Sequence, residues 1–307
     1  MNLTNSRVLG QRGSGGGRLW RRAVVGIPYF WLLVFFAIPF VIILRISFAD
    51  PLIGAPPFTP FYDAEEGIYL TADNYRFLAE DDLYWVSYLK SIRIALVSTL
   101  LCLLLGYPMA YGIARARDST RNLLLLLVIL PFWTSFLLRV YAWMGMLSNQ
   151  GVINKALMTL GLTDQPMQFL YTDFAVYLGI VYSYLPFMIL PLYATLEGLD
   201  ENLLDAASDL GGRPREVFFD ITLPMSAPGM LAGSLLVFIP ALGEFVIPSL
   251  LGGLDTLMIG KTLFDEFFVN RDWPLASAVA TVLVLILVAP IVLFQRYSST
   301  AERLTGR

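Results

Sequence analysis

The sequence predicts an all-α membrane protein with six transmembrane helices and both ends on one side. Three observations carry this. Of 307 residues, 57% are hydrophobic and only 15% charged, against roughly a quarter charged in soluble domains. Several apolar runs reach the ~20 residues that cross a bilayer core. Lys and Arg are abundant in alternate connecting segments and sparse in the others, as the positive-inside bias requires.

The elements follow in order. Residues 1–22 are polar and rich in Gly and Arg, and read as a flexible basic tail. The apolar run behind them is too long for a signal peptide and lacks a small-x-small end. It is expected to be a retained first span, at about 23–48. Further spans are expected at about 91–114, 123–147, 174–196, 227–251 and 275–294. The membrane domain therefore runs over 23–296, with a short tail at 297–307. Arg7, Arg12, Arg18, Arg21 and Arg22 share one side with Arg115, Arg117, Arg121, Arg213, Arg215, Arg296, Arg303 and Arg307. That side, with both termini, is expected to be cytoplasmic. The outer loops 49–90, 148–173 and 252–274 include candidate short helices at 151–157 and 261–268. They read either as docking surfaces for an extracytoplasmic protein or as caps on the bundle. Prolines, among them Pro108, Pro131, Pro186, Pro240 and Pro248, interrupt most spans. The backbone groups they free must be satisfied inside protein or a cavity.

Composition also removes chemistry. There is no histidine, and the one cysteine, Cys102, lies in an apolar run. The usual general base, metal ligands at binding spacing and an intrachain disulfide are all missing. No Gly-rich phosphate loop is present, so nucleotide must be handled elsewhere. A membrane-embedded enzyme or a scaffold is thus a distant alternative, and no nucleic-acid partner is expected.

Two features point to function. In the fifth span, Glu244 stands within Pro240-Ala241-Leu242-Gly243-Glu244-Phe245-Val246-Ile247-Pro248. An intramembrane acid is costly and is a functional candidate by default. Counted along the helix, it lies about 7–8 Å beyond the midplane, at the depth of Arg139. Glu244 is therefore expected either to line a path for a cation or to pair with Arg139 as a structural ion pair. Trp133, Tyr141, Trp143, Tyr182 and Tyr184 lie in the outer halves of the neighbouring spans, where aromatic faces attract ammonium groups or anchor helices at the interface.

The second feature is the loop at 197–224, with Asp205-Ala206-Ala207-Ser208-Asp209-Leu210-Gly211 and then Ile221-Thr222-Leu223-Pro224. It reads as helix, glycine turn, helix, since Gly211-Gly212 suits a helix end and Pro214 a helix start. Val217, Phe218 and Ile221 make an apolar stripe expected to need a covering partner.

The acid-Ala-Ala-x3-Gly spacing resembles the coupling loop of ABC importer permeases, with Asp205 where their consensus has Glu. The resemblance implies that Asp205, Ala206, Ala207, Gly211, Ile221, Leu223 and Pro224 contact a cytoplasmic ATPase. Three further segments resemble putrescine/spermidine importer permeases. They run from Pro131 through Met144, from Pro240 through Gly253, and over Asn270-Arg271-Asp272-Trp273-Pro274. The likeness extends over about 24–294 and looks closest to the putrescine-type member. It implies the type I, MetI-like importer architecture in the bacterial inner membrane. It also implies a second homologous permease, two ATPase copies carrying ATP and Mg, and a periplasmic polyamine-binding protein, with no cofactor in this chain. The same machinery moving ferric iron, another cation or a small anion is the nearer alternative.

Overall fold

A computed structural model describes residues 24–60, 62–63 and 67–305. The basic tail expected at 1–22 lies outside them. In chain order the helices are α1 (Val24–Ile46), α2 (Asp73–Glu80), α3 (Asp82–Ala114), α4 (Asp118–Ile129) and α5 (Phe136–Leu147). They continue with α6 (Val152–Thr159), α7 (Asp173–Glu197), α8 (Glu201–Asp209) and α9 (Pro214–Met225). The last are α10 (Ala227–Leu242), α11 (Val246–Leu251), α12 (Ile259–Phe264) and α13 (Trp273–Thr305). Among the described residues, β1 (Tyr62–Asp63) pairs antiparallel with β2 (Gly67–Ile68) between α1 and α2.

Four helices among the described residues are long and apolar enough to cross a membrane, or up to six if each of two bent helix pairs counts as one span. A bend in the third expected span and a break in the fifth change both of them. The third does not run straight over 123–147: α4 passes into a 3-10 turn at Leu130–Trp133, Thr134 and Ser135 are extended, and the chain resumes at about 90°. Pro131 has no N–H to continue the α-helical ladder, and the chain tightens there into the 3-10 turn. With 12 residues, α4 is about 18 Å long, too short to cross alone. The fifth span ends at Leu242 rather than at 251. Pro248 cannot donate to the carbonyl of Glu244, four residues back, and its ring would strike that carbonyl. A continuous helix through Glu244 would therefore carry that cost, and α10 ends two residues before it. Placed in the first turn of α11, the same proline costs nothing, because that N–H has no helical partner anyway.

The core of the bundle is α3, α7 and α10, packed on one another. Cys102, Met188, Leu192 and Val237 are fully buried between them. The approach is close because α10 presents Gly229 and Gly233 to α7. A Cβ at Gly229 would lie 2.5 Å from Thr195 Oγ1 and 2.9 Å from the Pro191 carbonyl; one at Gly233 would lie 3.1 Å from the Met188 carbonyl. This is the small-xxx-small packing of membrane helices. Gly229→Val is expected to destabilise the bundle by about 1–3 kcal/mol. Thermal unfolding of the detergent-extracted protein checks this, and an unchanged midpoint would contradict the packing argument.

The Asn270–Pro274 segment closes the start of α13. Asn270 Nδ2 and the Tyr84 hydroxyl donate to the buried Glu266 carboxylate at 2.8 and 2.9 Å. Asp272 accepts the Leu275 N–H at 2.9 Å, which caps the helix, and Trp273 stacks on Phe267 with centroids 5.0 Å apart. Burial pushes the Asp272 carboxyl up from its ordinary value, and the charge of Glu266 adds to that. The short helices expected at 151–157 and 261–268 appear as α6 and as α12 with the π turn Asp265–Val269.

Candidate functional site

The break in the fifth span decides where Glu244 stands. The residue is not inside a helix but between α10 and α11, and it is buried. Its Oε1 accepts the N–H groups of Val246 and Ile247 at 3.0 and 3.4 Å, so the side chain caps the helix that its own backbone cannot continue. Oε2 accepts the Tyr184 hydroxyl at 2.5 Å. On the far side, α12 sits directly on the break: a Cβ at Gly260 would lie 2.3 Å from the Gly243 carbonyl and 2.7 Å from that of Glu244. Only glycine fits there.

A pocket of about 550 Å³ opens beside the break, and Glu244, Tyr184, Arg139, Phe132, Phe136 and Phe187 line it. Arg139 and Glu244 thus share a pocket, as their matched depth suggests, but the expected ion pair is not formed. Both Glu244 oxygens already have donors. The Arg139 guanidinium instead lies over Phe132 and Phe136, 5.3 and 5.8 Å from their ring centroids. Its Nε and Nη1 are buried without an acceptor.

Of the five aromatic candidates, only Tyr184 joins Glu244. Tyr182, two residues away on α7, points elsewhere, since residues i and i+2 of a helix do not share a face. It packs edge-on against Trp143, with centroids 5.4 Å apart. Trp133 and Tyr141 lie on the outside of the chain, 72% and 51% exposed. Phe132, Phe136 and Phe187 were not singled out from the sequence. The Thr134–Ser135 break turns the first two inward, and a period count along a straight helix cannot show that.

The Asp-Ala-Ala loop has the helix–glycine turn–helix form its sequence implies. At the end of α8, the Gly212 N–H bonds to the Ala207 carbonyl at 3.0 Å and the Gly211 N–H to that of Ser208 at 2.9 Å. This is a Schellman end, with Gly211 at φ +88°. Pro214 opens α9, and Glu216 reaches back to the Arg213 N–H at 2.8 Å. Asp205, Ala206, Leu210 and Gly211 are exposed, as is Pro224. The apolar stripe departs from expectation. Val217, Phe218 and Ile221 are half-buried, and Phe218 sits edge-on to Tyr107 and Tyr111 of α3 at 5.8 Å each. Tyr107 also bonds Ser226 at 3.0 Å. Phe218 therefore ties the loop to a span, and the exposed large apolar groups of the loop are Leu203, Leu210 and Phe219.

Residues 102–301 match the family described as binding-protein-dependent transport system inner membrane component. The chain belongs to this family. It is a multi-pass inner-membrane component of an importer that works with a binding protein and an ATPase, and it is not itself an enzyme. The spermidine/putrescine transport system permease protein PotB of Haemophilus influenzae is 37% identical over 284 residues, covering 92% of this chain and 96% of that one. PotB of Escherichia coli is 39% identical over 268 residues, covering 87% and 94%. The molybdenum transport system permease protein ModB of Mycobacterium bovis is 33% identical over 208 residues, covering 66% and 75%. In fold, the permease resembles a chain of a bacterial alginate ABC transporter at TM-score 0.66 and 18% identity, covering 92% of this chain and 95% of that one. A chain of the MetNI methionine transporter follows at TM-score 0.55 and 14% identity, covering 72% and 98%. The architecture is that of a type I ABC importer permease.

Proposed function

We propose that this permease forms half of the translocation path of an ATP-driven polyamine importer. It pairs with a second homologous permease, two cytoplasmic ATPase subunits and a periplasmic polyamine-binding protein. The observation that carries the substrate class is the buried Glu244 carboxylate in a pocket walled by Tyr184, Phe132, Phe136 and Phe187. A carboxylate among aromatic faces suits an ammonium group. The names of the relatives at 37–39% identity point the same way. Within polyamines, the putrescine-type reading rests on the segments from Pro131, Pro240 and Asn270.

The membrane domain is assigned to 23–296, between cytoplasmic tails at 1–22 and 297–307. The 197–224 loop is the ATPase contact. Asp205, Ala206 and Gly211 form its outer face, and Ile221, Leu223 and Pro224 lead back to the spans. Trp133, Tyr141, Trp143 and Tyr182 stay candidates for path walls completed by the second permease.

A small anion is the second reading. Arg139, with unbonded donors in the same pocket, and the molybdenum relative favour it. Uptake by vesicles holding the co-expressed complex separates the two. ATP-dependent uptake of labelled putrescine is expected, suppressed by spermidine and untouched by molybdate or ferric iron. Half-saturation at lower putrescine than spermidine supports the putrescine type. No polyamine uptake, with molybdate taken up instead, would reverse the assignment. The chain expressed alone is expected to hydrolyse no ATP.

A further inference from the structure

Arg139 is a poorly held cation. Among the described residues it makes no hydrogen bond; Nε and Nη1 are buried without acceptors, and two phenylalanine rings are its contacts. A guanidinium carries its charge at every physiological pH and has a fork that fits a carboxylate in two places. The carboxylate that would satisfy it opens on the same pocket. That carboxylate, Glu244, is held here by uncharged donors alone: two backbone N–H groups and one phenol.

One of the two side chains sits in a break and the other one helical turn from a break. Arg139 is four residues beyond the break at Ser135, and Glu244 is within the break between α10 and α11. Small backbone rotations at such points move whole elements, so the distance between the two groups is free to change as the spans move. An importer must release what it binds, and a carboxylate that attracts an ammonium in one state holds it in the next unless another cation takes its place.

We propose that Arg139 is that cation: a built-in competitor that swings from Phe132 and Phe136 to Glu244 as the pocket closes and displaces the bound ammonium. In the open pocket it is parked on the aromatic rings, its weak hold keeping it ready to move. This inference rests on the polyamine reading and adds a release step to it.

The test is the import kinetics of the assembled complex with labelled putrescine. Arg139→Gln is expected to lower KM by about threefold or more, because the competitor is gone. It is also expected to lower kcat by about threefold or more, because release becomes slow. Simple repulsion of the substrate by Arg139 would lower KM and leave kcat unchanged or higher, which overturns the proposal. So does an unchanged KM. Arg139→Lys keeps a competing charge and decides the matter if the glutamine variant does not assemble. Kinetics near wild type then support the role of charge, and loss of import at normal complex levels overturns it. Absence of putrescine import by the wild-type complex is a separate result: it refutes the substrate reading and not the behaviour of Arg139.

Discussion

Glu244→Gln is expected to cut polyamine import at limiting substrate by about a hundredfold or more while the complex assembles normally. The geometry explains both halves. Glutamine keeps an oxygen for the Val246 and Ile247 N–H groups, and its amide can donate to the Tyr184 oxygen that now donates to Glu244. The cap on α11 and the break in the span therefore survive. Only the charge is lost. Removing one partner of a buried charge pair costs about 3–5 kcal/mol, and each 1.4 kcal/mol is about a factor of ten. Uptake at several substrate concentrations, normalised to complex, measures the effect. Unchanged uptake would remove Glu244 from the substrate path.

The second large effect is expected at the loop. Gly211→Val should leave the chain in the membrane but lower import by about tenfold, with ATP hydrolysis continuing uncoupled. A Cβ at Gly211 would meet no atom within 4 Å, so the penalty is not steric crowding. It comes from φ +88°, a left-handed conformation that costs a residue with a Cβ about 1–2 kcal/mol. Relief of that strain unwinds the end of α8 and re-aims Asp205 and Ala206 relative to α9, which Phe218 pins to α3. Asparagine tolerates the left-handed region, so Gly211→Asn should retain most import. Asp205→Lys reverses an exposed charge and is expected to abolish import by failed contact alone. Paired assays of ATPase activity and uptake distinguish uncoupling from loss of protein. Normal uptake in Gly211→Val and Asp205→Lys, at normal expression, would take the coupling role from this loop.

Much of this molecule was legible one-dimensionally, because its strongest constraints are local. Apolar length sets where the chain can cross a bilayer, and no fold is needed to count it. Gly211 and Gly212 end a helix through backbone geometry within six residues, and the structure has that turn where the sequence places it. Glu244 was visible as an acid in an apolar run, and Arg139 as a cation at like depth.

Other features required tertiary structure. A straight-helix count put Glu244 within a span, whereas Pro248 and the packing of Gly260 against the Gly243 and Glu244 carbonyls place it at a joint. The same count grouped five aromatic residues. The 90° turn after Trp133 and the phase of α7 leave Tyr184 alone beside Glu244 and bring in Phe132, Phe136 and Phe187. The stripe of Val217, Phe218 and Ile221 was visible as apolar, but only the position of Tyr107 and Tyr111 decides that Phe218 packs on a span. Periodicity reports which residues share a face of a straight element. It does not report which way that face turns after a break, because a bend redirects everything beyond it and its direction is set by packing between distant parts of the chain.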